Sequence, residues 1–216
     1  MRAQTIQIAC LAVVLSTLGV VAAACPTDLN VMPIADVVPE GYVNVRIEAM
    51  GNTSPAAGDL SLSLLTVFGV APGVEAGVDL EDIGGNARLL LDAKWQFIEE
   101  DDRRPAVAIG LLNINHSSDR AGYVVGARSF SDDAVRLHAG AIHHHRSLAG
   151  MLGAEVEIAP NLTAAIDWIS GHHGATGIGI SSTTGESYEV VLFIVESHSD
   201  GEDTMIGVNL CWQAPW

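Results

Sequence analysis

Apolar and polar residues alternate along most of the chain between positions 42 and 212. The clearest example is residues 148–170, in which two runs flank a turn at Ala159-Pro160-Asn161. Alternate positions of both runs are apolar: Leu152, Ala154, Val156 and Ile158 in the first, and Leu162, Ala164, Ile166 and Trp168 in the second. This period of two is typical of strands with one apolar and one polar face. Pro and Asn suit the turn, because Pro pre-sets φ and Asn tolerates left-handed conformations.

The same alternation predicts twelve strands, each near the ~9–11 residues that a tilted membrane strand needs. They cover residues 42–50, 60–70, 74–80, 87–98, 106–114, 123–130, 134–144, 149–158, 162–169, 176–182, 188–196 and 204–212. Tight turns follow most even-numbered strands, and polar, mostly longer loops follow the odd-numbered ones. Such asymmetry is typical of outer-membrane barrels, in which an even strand count leaves both termini in the periplasm. Residues 41–216 are therefore predicted to form an all-β, transmembrane antiparallel up-and-down β-barrel.

The N-terminal region has the features of an export signal. Arg2 precedes a mostly apolar stretch, and Ala22-Ala23-Ala24 supplies small residues before a cut ahead of Cys25. We expect residues 1–24 to be a signal peptide. Residues 25–40 contain three prolines and are expected to form an extended periplasmic segment.

Composition and aromatic placement favour lipid over a protein core on the apolar faces. Hydrophobic residues make up 49% of the chain and the mean hydropathy is +0.31. No internal apolar run reaches the ~18 residues that indicate a membrane-spanning helix. On the predicted topology most aromatic residues lie near strand ends, as in the girdles of membrane barrels. The periplasmic rim receives Tyr42, Phe68, Trp95, Phe97, Phe130, Tyr188 and Trp212, and the outer rim Tyr123 and Trp168.

The charge balance is strongly acidic. Removal of residues 1–24 takes away one basic residue and leaves 9 basic and 26 acidic ones, a net charge of −17. Such a chain repels nucleic acid, so we expect no nucleic-acid partner. Cys25 and Cys211 remain in a compartment that permits disulfides and could pair with each other. Two separate thiols, or a lipidated Cys25, are the alternatives.

Charged residues recur on the polar faces and would line the barrel lumen. The predicted lumen-lining residues are Arg46, Glu48, Glu75, Asp79, Arg88, Asp92, Lys94, Arg128, Arg136, His138, Glu155, Glu157 and Asp167. The predicted hairpin registers place His138 opposite Glu155, Arg136 opposite Glu157, and Arg128 beside Arg136. Twelve strands lie between the ~8-stranded barrels that side chains fill and the ~16-stranded open porins, so this polar network could line a pore or plug a small one.

Histidines cluster at the predicted outer ends of the strands but carry no diagnostic ligand spacing, so no metal site is predicted. The weak candidates are His143, His144, His145, His172, His173 and His198. His116-Ser117-Ser118 and His145-Arg146-Ser147 each place a histidine two residues before a serine. They are similar to the motif of outer-membrane phospholipase A, but no Asn-Gly follows either pair and both fall in loops. We expect no cofactor and no enzymatic activity.

Several sequence segments together resemble the YjbH-like and related bacterial outer-membrane β-barrel proteins, some of which are associated with exopolysaccharide production. These segments are residues 33–39, the span from Asn86 through Lys94 and Glu99 to residues 105–110, residues 136–140 and the hairpin of residues 153–168. The resemblance spans most of residues 33–170 and implies the fold far more than an activity.

The sequence thus predicts a porin-like channel or structural protein of the outer membrane of a two-membrane bacterium. The resemblance adds an accessory role in exopolysaccharide export. Expected partners are outer-membrane lipid and small solutes or polysaccharide-export components. The alternatives are an outer-membrane lipid hydrolase of the phospholipase A type and a soluble exported β-sandwich that binds a ligand.

Overall fold

The computed structural model describes residues 28–53, 60–131, 133–144, 146–185, 187–201 and 203–216. Neighbouring strands pair antiparallel, and β1 also pairs with β12, which closes the sheet into a barrel. The strands are β1 (Tyr42–Asn52), β2 (Leu60–Ala71), β3 (Val74–Glu81), β4 (Arg88–Ile98), β5 (Ala106–Leu112), β6 (Ala121–Phe130), β7 (Val135–His144), β8 (Ser147–Ala159), β9 (Leu162–Ile169), β10 (Ala175–Thr184), β11 (Tyr188–Ser197) and β12 (Met205–Pro215). The predicted twelve-stranded barrel is confirmed, and the β-sandwich alternative is wrong because a single closed sheet contains every strand of the described residues. In the part of the chain described, no helix is long and apolar enough to cross a membrane.

The tight turns form where their residues allow a left-handed backbone. Asn161 has a φ of 62° between β8 and β9, as its place in the Ala-Pro-Asn turn predicts. Gly73, with a φ of 69°, makes the corresponding turn between β2 and β3. Both turns lie at the same end of the barrel as the start of β1 and the end of β12.

Alternation along each strand separates an exposed apolar face from a buried face. On β8, Leu152 is 56% exposed whereas its neighbour Met151 is 1% exposed. A closed barrel buries only its interior, so the buried face points inward and the apolar face outward. Exposed aromatic residues lie near the strand ends on the side of the termini: Tyr42, Trp95, Phe97, Phe130, Tyr188 and Trp212.

Two sequence expectations about β6 are wrong. Tyr123 was expected at the outer rim, but it is buried on the inward face with Val125. Arg128 was expected in the lumen, but it shares the outward face with exposed Val124 and Phe130. Both faces of β6 are largely apolar, so the alternation does not decide which one points inward. The Arg128 side chain instead donates to backbone carbonyls of the β4–β5 connection, including that of Asp102 (2.8 Å).

Hairpin registers also differ from those predicted. Arg136 pairs with Ser129 and with Glu155, so Arg128 is not its neighbour across the β6–β7 hairpin and Glu157 is not its partner across β7–β8. The predicted β7–β8 register was shifted by two residues, which preserves the faces. His138 therefore still reaches Glu155 diagonally, with 2.7 Å between Nε2 and Oε1.

Residues 28–38, which we call the lumen segment, lie inside the barrel. Their contacts include inward-facing side chains of β1, β3, β7 and β9, strands distributed around the sheet. Met32, Ala35 and Val38 are fully buried. This differs from the extended periplasmic segment expected from the sequence, because the apolar side chains between the prolines pack against the inner wall.

The inner wall that receives the lumen segment is apolar on one side. Met32 and Ala35 form one cluster with buried residues of β5 to β8: Ala106, Ala108, Ala121, Tyr123, Val125, Ala127, Ile142 and Met151. Small residues on β5 and β6 leave the space that the segment occupies. The interior therefore has an apolar side as well as the charged side that the sequence predicts.

Candidate functional site: the charged inward face and the lumen segment

Arg46 on β1 holds the N-terminal part of the lumen segment. Its guanidinium donates from Nη1 and Nη2 to the two carboxylate oxygens of Asp28, at 2.5 and 2.8 Å. Asp28 also forms an isolated bridge with Pro33, and Leu29 N donates to Met32 O (2.9 Å). The segment therefore makes a tight turn within the lumen. Arg46 is only 6% exposed, so its side of this bidentate ion pair is shielded from bulk solvent, whereas the Asp28 side chain is 33% exposed.

Asp167 on β9 holds the other side of the same turn. Its carboxylate accepts hydrogen bonds from Val31 N (2.6 Å), Met32 N (2.8 Å) and Asn30 Nδ2 (2.8 Å). Asp167 is 1% exposed. Buried backbone N–H groups require acceptors, and one carboxylate supplies them for two consecutive residues of the segment.

Glu75 on β3 binds the C-terminal part of the segment. It accepts a hydrogen bond from Val38 N (2.8 Å) and pairs with Lys94 Nζ (2.9 Å) on β4. Both side chains of this ion pair are buried. The lone lysine of the chain is thus paired with the carboxylate that anchors the segment.

Arg136 on β7 joins the segment to the rim at the end of the termini. It pairs with Asp36 (2.8 Å) and with Glu100 (2.5 Å) in the β4–β5 connection. Burial opposes ionisation of Glu100, but the Ser129 N–H and the Arg136 guanidinium outweigh it and lower the pKa of this carboxyl below 4.5. In the same connection, Arg104 and the backbone N–H of Arg103 lower the pKa of Asp101 to about 2.

A cavity of about 140 Å³, with both charged and apolar lining residues, remains between the lumen segment and the charged wall. Its charged lining residues are Asp28, Arg46, Glu75, Asp79, Asp92 and Lys94. The carboxyl groups of Asp79 and Asp92 lie within hydrogen-bonding reach of each other. Asp92 also accepts from Asn113 N (2.6 Å), whereas Asp79 Oδ1 is buried without a hydrogen-bond partner among the described residues.

Of the remaining predicted lumen-lining residues on the inward face, His138 is buried, and the others occupy less buried positions: Glu48, Arg88, Glu155 and Glu157. Glu48 lies two positions from Arg46 on β1, and Arg88 at the outer end of β4 pairs with Asp119. Glu157 is exposed near the opposite end of β8. All the predicted lumen-lining residues except Arg128 therefore share one face, and their part in solute passage stays a prediction.

Buried polar residues that the sequence interpretation did not select also lie on this face. They are Asn44, Ser63, Glu189 and Asn209. Each one lies on the inward face of its strand, so the alternation of inward and outward positions could have identified it. Asp28 and Asp36 carried no such signal, because they lie outside any strand.

The histidines that the structure describes do not assemble into a ligand set. Among the described residues, no three His, Cys, Asp or Glu side chains are grouped so that they could hold a metal ion. His198 Nε2 contacts Thr176 Oγ1 (2.9 Å), and the rings of His172 and His173 lie 5.1 Å apart. His143 is exposed and His144 half-buried at the end of β7, while His145 lies outside the described residues.

The two His-x-Ser candidates gain no support from the geometry. His116 Nε2 contacts the Leu89 carbonyl oxygen (3.0 Å), and Ser117 and Ser118 are exposed in the β5–β6 connection. The second candidate includes His145, outside the described part of the chain.

Cys211 is disulfide-bonded on the inward face of β12, opposite Arg46. Its predicted partner, Cys25, lies outside the described residues, as does the predicted signal peptide.

Comparisons with known proteins identify the architecture. No protein-family model matches the chain, and no curated protein does. Among solved structures, the KdgM porin matches with a TM-score of 0.54 and 11% identity, covering 79% of this chain and 98% of its own. The KdgM porin in complex with disordered oligogalacturonate matches with a TM-score of 0.55 and 12% identity over the same shares. At this identity the likeness concerns the fold, which is that of a porin-like outer-membrane β-barrel.

Proposed function

We propose that the protein is a porin-like channel of the bacterial outer membrane, closed in this structure by its own lumen segment. The observation that carries the proposal is how the segment is held. Its contacts with the wall are ion pairs, side-chain hydrogen bonds and apolar packing, and it adds no strand to the sheet. These noncovalent contacts can therefore break without opening the barrel, while the disulfide of Cys211 stays as a covalent link on the inward face of β12.

The exposed apolar face supports placement in a membrane. Leucine, isoleucine, valine and aromatic side chains are exposed on strands all around the barrel, with aromatic residues near the strand ends. This is the pattern of a lipid-facing band with an interfacial girdle. We infer that both termini face the periplasm, because they lie at the end with the tight turns.

The charges favour small neutral or cationic solutes over acidic ones. Arg46, Lys94 and Arg136 each pair with a carboxylate, so these cations have little charge left to attract an anion. The bound oligogalacturonate of the KdgM complex is a ligand of that protein. The roles implied by the YjbH-like resemblance and exopolysaccharide export stay predictions, as does the absence of an enzymatic activity.

The test is conductance in planar lipid bilayers, with the full chain compared with a variant that lacks residues 28–38. We expect the full chain to conduct little and the deletion variant to show stable single-channel steps. Heat-modifiable migration on gels reports whether each barrel has folded. A folded deletion variant without conductance would show that the barrel is not a channel, and a large steady conductance of the full chain would show that the segment does not close it.

A further inference from the structure

We propose that a groove on the outward face of β4 to β8 binds one anionic lipid, with an acyl chain in the groove and the phosphate headgroup beside Arg120 and Arg146. The proposal goes beyond the channel, because it rests on the placement of the barrel in a membrane and not on conductance. An apolar groove and two exposed arginines meet at this place on the barrel.

The groove has a volume of about 650 Å³ and a mostly apolar lining. It extends from Trp95 on β4 to Leu148 at the outer end of β8. Ile109 and Leu111, both exposed on β5, form one wall. Because these side chains belong to the outward face, the groove opens into the hydrocarbon layer of the membrane.

The floor of the groove lies at Gly122, where the outward face of β6 has no side chain. Gly122 pairs with Leu111 on β5 and with His143 on β7, and His143 pairs with Leu148 on β8. Neighbouring strands are about 4.8 Å apart, so the backbones of β5 and β7 are separated by about 10 Å at this level. A Cβ added to Gly122 would have a single heavy atom within 4 Å, Leu111 Cδ2 at 3.4 Å. This long, open depression suits an acyl chain.

Two arginines lie beside the end of the groove that is opposite the termini. Arg120 comes two residues before Gly122, and Arg146 lies in the turn between His143 and Leu148. Gly122, His143 and Leu148 all line the groove. Both arginines are exposed and, in the part of the chain described, neither forms an ion pair.

The local charge here is opposite to that of the whole chain. The chain has a net charge of −16, so it attracts an anion only where cations are concentrated. Residues 113–120, which connect β5 and β6, contain one carboxylate, Asp119, and it pairs with Arg88. The turn at residues 145–146 contains none. Arg120 and Arg146 therefore make this rim locally positive.

The order of apolar groove and cationic rim matches the two parts of a lipid. Guanidinium groups bind phosphate oxygens through paired hydrogen bonds, and basic sites next to membrane-spanning elements bind anionic lipid headgroups. The His143 ring lies at the level of the rim and can donate an N–H to a phosphate oxygen. A water-soluble anion would leave the groove empty, and a neutral lipid would leave both arginines without an anion. An anionic lipid satisfies both parts of the site.

The test is native mass spectrometry of the folded full chain in detergent, titrated with phosphatidic acid or with phosphatidylcholine of the same acyl chains. We expect one molecule of phosphatidic acid to bind roughly tenfold more tightly than phosphatidylcholine, because its headgroup carries the net negative charge that the arginines attract. The double variant Arg120→Gln with Arg146→Gln should remove this preference. Gly122→Leu should weaken the binding of both lipids, because the added side chain fills the groove.

Two controls match these variants. Arg103→Gln with Arg104→Gln removes the same charge from exposed arginines in the β4–β5 connection, at the end of the termini. Ala164→Leu adds an apolar side chain to the outward face of β9, away from the groove. Neither control should change the affinity for phosphatidic acid.

Equal affinity for the two lipids would overturn the site, as would a preference for phosphatidic acid that persists in the Arg120→Gln, Arg146→Gln variant. A dimer of the full chain that Gly122→Leu dissociates, without lipid binding, would assign the groove to a second copy instead. If Gly122→Leu does not fold, the arginine variant decides, because both of its changes lie outside the strands. Binding is measured without a conductance readout, so failure of the channel to conduct leaves this test unaffected.

Discussion

A single buried carboxylate, Asp167, accepts hydrogen bonds from three consecutive residues of the lumen segment. Asp167→Asn keeps the size of the side chain but removes the charge and leaves a single oxygen acceptor for the three donors on Asn30, Val31 and Met32. We expect docking of the segment to weaken by about 2–3 kcal/mol. Hydrogen exchange of residues 28–38 should become faster by a corresponding factor. Glu157→Gln, which loses a charge without touching the segment, should leave exchange unchanged; equal protection in both variants would show that Asp167 does not anchor it.

At the scale of elements, Arg136 connects the lumen segment with the β4–β5 connection, and the two contacts can be separated. Asp36→Asn weakens the segment's side of the junction, whereas Glu100→Gln weakens only the side of the β4–β5 connection. We expect Asp36→Asn to increase the frequency of channel openings in bilayers several-fold, and Glu100→Gln to have a smaller effect. The reverse order would place the gate at the connection rather than at the segment.

The lowered pKa of Glu100 determines the pH range in which Asp36→Asn and Glu100→Gln can be compared with the native chain. Because its folded-state pKa is lowered, its contribution to stability is present in full above its ordinary pKa of 4.5 and is lost as the pH falls through the lowered value. At neutral pH Glu100 is therefore charged in the native chain. Glu100→Gln then removes that charge, whereas Asp36→Asn leaves the ion pair between Glu100 and Arg136 in place.

The strands were predictable from the sequence, but the contents of the barrel were not. Alternation is a local property, so strand β9 was predicted with the bounds that the structure shows, residues 162–169. Register depends on turn geometry, such as the positive φ of Ser131 and Asp133, which the residue types did not indicate. The contact between Met32 and Asp167 joins positions 135 residues apart and follows no periodic pattern. The position of the lumen segment could therefore be predicted only once the closed barrel was known.

For the whole molecule, the outward face should behave as a surface in contact with lipid, with costs that depend on depth. Leu148 and Leu152 share the outward face of β8 and are 74% and 56% exposed. Leu148 lies at the outer end of the strand and Leu152 near its middle. Arginine in a membrane barrel costs about 2–4 kcal/mol at the bilayer midplane and about 0–1 kcal/mol near the interfaces.

We therefore expect Leu152→Arg to lower the free energy of unfolding from lipid vesicles by a few kcal/mol, and Leu148→Arg to change it little. Denaturant titration of both variants in the same vesicles measures the difference, and each variant is the other's control because both add the same charge to the same face. In water both leucines are already exposed, so a soluble barrel would lose little stability at either position. A small and equal effect would mean that no bilayer surrounds β8, whereas a cost that rises from Leu148 to Leu152 would locate the hydrocarbon layer along the strand.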